Sequence, residues 1–154
     1  MSENGGPATV CREPQKSAMI RLYSKMITPV ENIPVKEITM EYDQLLRSLS
    51  ENPEQVEFED VIGLIDNMYE FTPVKFVNGS LVNEAGQNTG SCKIFAFAKR
   101  TRLSEEQTLH CFGSFYRNDV LKYPDNMDHE NIRNFMQTGW EGLDMEGVPL
   151  NLKV

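Results

Sequence analysis

Cys92 is the side chain in this sequence best placed by its neighbours for covalent chemistry. It follows the polar run Asn83–Ser91 and opens an apolar, helix-forming segment. The thiolate is the reactive form of cysteine, and the partial positive charge at a helix start lowers a thiol's pKa. If Ser91 or Thr89 caps that helix, Cys92 lies in its first turn. An imidazole partner would complete a thiol–imidazole pair. The two histidines are His110, next to Cys111, and His129, just after Asp128. With Asp128 as the cap of a later helix, that helix's field disfavours imidazolium and leaves His129 neutral, able to act as a base. Asp128 or Asn131 would orient the ring. Gln87, with Asn88 beside it, can donate to an oxyanion.

The string Gln87-Asn88-Thr89-Gly90-Ser91-Cys92 resembles the nucleophile segment of papain-type cysteine proteases over fewer than ten residues. Lys93 stands where those proteases carry an aromatic residue, the chain is much shorter, and no histidine lies on later strands. Cysteine also packs readily as a small buried hydrophobe. The thiol-dependent hydrolase or transferase is therefore the alternative to a second use of the same region. In that use Asn83, Asn88, Arg117 and Arg133 bind a ligand, the arginines gripping a carboxylate or phosphate through their planar forks. The competing role for these groups is internal: they tie down the loop at residues 83–90, with Asp119 or Asp128 pairing with Arg117, because covered loop backbone needs partners.

The elements that must position these groups follow from periodicity. Apolar residues 38, 42, 45, 46 and 49 make one helical stripe, stopped at Asn52-Pro53. Phe58, Val61, Ile62, Ile65, Met68 and Tyr69 make a second, ending before Thr72-Pro73. Residues 74–82 read as a hairpin turning at Asn78-Gly79. A third helix covers about residues 91–102. Ser104 and Gln107 form a capping box for a fourth, with Leu109, Phe112, Tyr116 and Val120 as its buried stripe. Asp128 caps a fifth through Ile132, Phe135 and Met136, closing near Gly139. The tail at residues 143–153 alternates as one or two strands. The sum is an α+β fold of five helices with a small antiparallel sheet.

Composition bounds the function. A length of 154 residues with 40% hydrophobic content suits one core. The net charge of −8 argues against nucleic acid, which requires concentrated Lys and Arg. No apolar run approaches the ~18 residues of a membrane span. Three widely spaced cysteines give neither a disulfide framework nor a zinc cluster, so no metal or cofactor is expected and a cytoplasmic or other reducing compartment fits. Residues 1–35 carry four basic and three acidic side chains, against eleven and twenty in residues 36–154. They read as a disordered or targeting leader before a single domain. Partners reduce to an unknown protein or small ligand.

The strings FTP (71–73), NG (78–79), NEAGQN (83–88), GSCK (90–93), LSEEQTL (103–109), CFG (111–113), YRNDVL (116–121), DHENIRNFM (128–136) and GW (139–140) occur in one order. On them, residues 38–148 resemble the HopJ-type type III effector proteins. Asn126 replaces a glycine common in that family, and asparagine tolerates the same left-handed turn. The family name implies a secreted virulence effector acting on a host partner. The resemblance implies a compact domain and supplies no catalytic residues, which leaves a soluble binding protein as the first expectation.

Overall fold

The computed structural model describes residues 35–153. The leader reading falls, apart from Val35, outside them. The chain divides into two units between Glu41 and Tyr42. The described part of the first is the opening of helix α1 (Val35–Glu51), and the rest of this section concerns the second.

The fold is mixed α+β. Helix α1 ends at Glu51, where Pro53 opens a single 3-10 turn, Pro53–Gln55. Helix α2 (Phe58–Met68) buries Val61, Leu64 and Ile65. It stops earlier than its periodicity suggests. Tyr69–Phe71 is strand β1, a three-residue segment whose Tyr69 is buried just as a further helical turn would bury it. Strands β2 (Phe76–Asn78) and β3 (Leu81–Asn83) form the expected hairpin. Asn78 pairs with Leu81, so the loop is Gly79-Ser80 and not Asn78-Gly79. Gly79 takes φ +64° at the first loop position, where glycine is favoured.

Helix α3 (Thr89–Arg100) is the central element. Cys92 and every residue from Ile94 to Ala98 are buried. The Phe95 ring lies 4.9 Å from Phe135, 5.5 Å from Phe112 and 6.2 Å from Phe76, while Phe97 meets Tyr42 and Tyr69 edge-on. Ser104 and Gln107 form the capping box of α4 (Glu105–His110).

The single helix expected from Ser104 to Val120 is broken. After α4 the chain turns through Gly113 at φ +62° and resumes as a π-helical segment, Phe115–Val120. A Cβ at Gly113 would stand 2.6 Å from the backbone nitrogen of Phe58. The break therefore lets the chain press against the start of α2. Leu109, Phe112, Tyr116 and Val120 are all buried nonetheless, since a turn shifts a stripe without exposing it.

Helix α5 (Glu130–Thr138) stops at Gly139, whose φ of +60° with ψ −153° is reserved almost entirely for glycine. A 3-10 turn, Gly139–Gly142, leads into β4 (Leu143–Met145) and then β5 (Leu150–Leu152). The C-terminal strands divide between two small antiparallel sheets. β4 joins the hairpin in the order β3-β2-β4, and β5 pairs with β1. Among the described residues no helix is long and apolar enough to cross a membrane.

His110 closes α4 half-buried, with Nδ1 3.3 Å from the Arg117 guanidinium. Burial, followed by that positive charge, lowers its pKa from the ordinary imidazole value near 6.5, against weaker opposition from Glu106 and Glu54. The unfolded chain therefore takes up the proton more readily than the fold does. The associated stability is complete above about pH 6.5 and lost as pH falls through the lowered value. We expect unfolding free energy to decline from pH 7.5 to 5.5 in urea titrations, and His110→Asn to flatten that decline. An equally steep decline in the variant would assign it to other groups.

Candidate functional site

The starts of α3 and α5 meet at a surface cleft of about 460 Å³. Its apolar lining is Phe58, Phe112 and Phe115 with Leu81, Met127 and Ile132. The Phe58 and Phe115 rings lie edge to face at 5.2 Å. Its polar lining comes from around the two helix starts: Asn88, Gly90 and Ser91 at α3, then Asp128, His129, Glu130 and Asn131 at α5. Gly90 is small because the Phe58 ring passes over it; a Cβ there would lie 2.8 Å from Phe58 Cζ.

Five asparagines hold the two helix starts together. Asn83 Oδ1 accepts from Asn88 Nδ2 at 2.7 Å and from Asn131 Nδ2 at 2.9 Å. Asn131 Oδ1 accepts from Asn78 Nδ2 at 2.9 Å and from Asn83 Nδ2 at 3.2 Å. Asn78 Nδ2 also donates to the Asn131 carbonyl, and Asn134 Nδ2 donates to the Asn78 carbonyl. Asn78, Asn83 and Asn131 are buried. A buried amide side chain costs free energy unless its donors and acceptors are paired, so this network fixes one arrangement of β2, β3, α3 and α5. Asn78 Oδ1 is the one buried side-chain polar atom among the described residues that finds no partner.

Both helices begin on a non-glycine residue in left-handed conformation, Asn88 at φ 49° and His129 at φ 52°, and neither residue caps with its side chain. The expected caps are thus displaced. Thr89 and Ser91 lie inside α3, and Asp128 lies one residue before the cap of α5. Asp128 is occupied by Arg133, whose Nη2 lies 2.7 Å from Asp128 Oδ1. That hydrogen bond is the main reason the Asp128 carboxyl titrates below its ordinary range.

His129 Nε2 lies 3.0 Å from Asp119 Oδ2 and 3.8 Å from Asp128 Oδ2, and its ring leans on Phe115 at 5.2 Å. Asp119 is therefore the nearer orienter, a residue that spacing placed with Arg117.

The two arginines serve backbone. Arg117 donates to the carbonyls of Val56 and Pro53 and pairs with Glu57 at 3.4 Å, which secures the link between α1 and α2. Arg133 donates to the carbonyls of Asp128 and Pro124, and at 3.4 Å to that of Asp119, which secures the loop before α5. The internal role is present but applied to other loops than residues 83–90. That loop is held by its own side chains: Gln87 Oε1 accepts from the Glu84 backbone at 2.9 Å, which occupies the oxygen and not the amide donor proposed for an oxyanion.

Cys92 is 2% exposed. Gly90 and Ser91 line the cleft, whereas Cys92 is not among its walls. Burial raises its thiol pKa, opposed more weakly by a hydrogen bond with the Val74 backbone. The shift is opposite in sign to the activation expected at a helix start. Cys111, fully buried, is pushed up to about 12. In iodoacetamide labelling followed by peptide mass spectrometry, we expect Cys92 to react more slowly than a free thiol at every pH from 6 to 9. Faster labelling at pH 6 would restore the thiolate. Among the described residues no group of three or more His, Cys, Asp or Glu is placed to hold a metal ion.

Asn78 and Asn131 as a buried pair, and Asp119 as the partner of His129, are the site residues that sequence reasoning placed elsewhere. Residue type gives little signal for them, since Asn and Asp commonly mark turns.

Residues 42–150 match the model of the HopJ type III effector protein family. Among solved structures, the chain is similar to the crystal structure of the unknown-function protein VPA0580. The two share 52% identity at a TM-score of 0.71, over 72% of this chain and 92% of that one. No curated protein matches the chain.

Proposed function

The chain belongs to the HopJ type III effector protein family, and we propose that it works as a binding domain for a small ligand held between the starts of α3 and α5. One observation carries this: the cleft of about 460 Å³ is lined by three phenylalanines together with polar residues whose helix starts are braced by buried asparagines. Ligand sites commonly have this size and this mixture of apolar surface with a few fixed polar groups. The brace matters because binding is weakened by whatever order must be created on association. Catalysis through Cys92 has no comparable support, since burial opposes its thiolate.

Titration of the ¹⁵N-labelled chain with a set of small aromatic fragments tests the proposal. Bound fragments should shift amides of Ser91, Phe115, His129 and Asn131 together. Ser91→Trp, which places an indole at a half-buried position of the cleft lining, should abolish those shifts. Shifts scattered over the surface, or unchanged in the variant, would refute the site.

A further inference from the structure

We infer that the ligand of this cleft is phenol-like, a neutral hydrogen-bond donor on an aromatic body, and that its donor is received by Nδ1 of His129; this rests on the cleft being the binding site. Asp119 Oδ2 lies 3.0 Å from Nε2. A carboxylate only accepts, so Nε2 carries a proton, and in the singly protonated ring the lone pair is at Nδ1. The described residues give Nδ1 no hydrogen-bond partner, and both nearby carboxylates, Asp119 and Asp128, lie toward Nε2. The ring is 27% exposed, enough for a ligand to reach it, and Phe115 fixes its plane.

The charge of the ligand follows from two opposed fields. The lining contains Asp128 and Glu130 but no lysine or arginine, and the Arg133 guanidinium beside it is committed to Asp128. An anion is therefore repelled by side chains. The uncapped starts of α3 and α5 direct partial positive charge toward the same space, which disfavours a cation. A neutral donor is disfavoured by neither. Phe58 and Phe115, already edge to face, offer a third ring the same geometry, which favours an aromatic body over an aliphatic one.

The test compares phenol, anisole and benzoate as probes of the full chain, reading cleft amides and the His129 ring nitrogens by ¹⁵N NMR. Anisole keeps the ring and loses the donor; benzoate carries an anion. Phenol should bind about tenfold more tightly than either, and its addition should move the Nδ1 resonance while Nε2 stays protonated. His129→Asn, which keeps a residue tolerant of left-handed backbone, should reduce phenol to the affinity of anisole. Asp119→Asn should do the same by releasing the tautomer. If neither variant folds, the Nδ1 shift in the unaltered chain decides alone. Equal binding of phenol and anisole in the cleft would overturn the donor inference and leave the site standing. Preference for benzoate would overturn it in favour of an anion. A cleft silent to all three probes would remove both the inference and the site.

Discussion

Phe95→Ala should lower the unfolding free energy by about 3–5 kcal/mol, the usual cost of emptying a fully buried phenylalanine site. Phe95 is fully buried, and three further rings close on it from β2, the turn after α4, and α5. Those elements meet through this one side chain. Phe112 is also packed against Phe58 and Phe135 against Trp140, so the aromatic contacts are shared and the cavity cannot collapse without moving two helices. Urea denaturation measures the loss. Tyr123→Ala, at a 57% exposed position, is the matched control and should stay within about 0.5 kcal/mol. Similar losses in both variants would mean that the ring cluster is not the centre of the core.

Asn131→Leu should cost about 3 kcal/mol, although leucine keeps the branched outline of the asparagine side chain and is the more hydrophobic. The substitution removes three side-chain hydrogen bonds: two accepted from Asn78 and Asn83, and one donated to Asn83. Asn78 retains the Asn131 backbone carbonyl. Asn83 Nδ2 retains only the Phe76 carbonyl, at a long 3.5 Å. Leaving buried polar groups short of partners costs about 1–3 kcal/mol each, more than the hydrogen bonds contribute net when made. The Asn83 side-chain amide protons should be protected from exchange in the unaltered chain and exposed in the variant. A variant as stable as the parent, with those protons still protected, would show that the network is incidental to the placement of α3 and α5.

The sequence discloses elements wherever a stripe runs for several turns or a side chain can play one local part. Helices α1 to α3, the Ser104–Gln107 capping box and the stop at Gly139 are of this kind. Strand β1 is not, because three residues of buried-exposed alternation fit equally well onto the end of a helix. The break at Gly113 is invisible from periodicity, since its cause is the backbone of Phe58, some fifty-five positions earlier.

Site residues are harder for a related reason. Asn83 and Asn88 stand together in the sequence as polar loop residues, yet one is buried and the other lines the cleft. Arg117 and Arg133 have the chemistry of ligand-binding residues but are satisfied by carbonyls that only the folded chain brings near. His129 stands out in the sequence as one of two imidazoles. Its partner Asp119, ten residues away, required the fold to become apparent.

The most direct measurement is the position of a bound aromatic probe, read from intermolecular nuclear Overhauser effects in the isotope-labelled chain. Contacts from the probe to the ring protons of Phe58 and Phe115 and to the methyl groups of Leu81 and Met127 are the predicted result. Contacts confined to the exposed side chains of Leu121, Tyr123 and Val148, with the cleft residues silent, would contradict it.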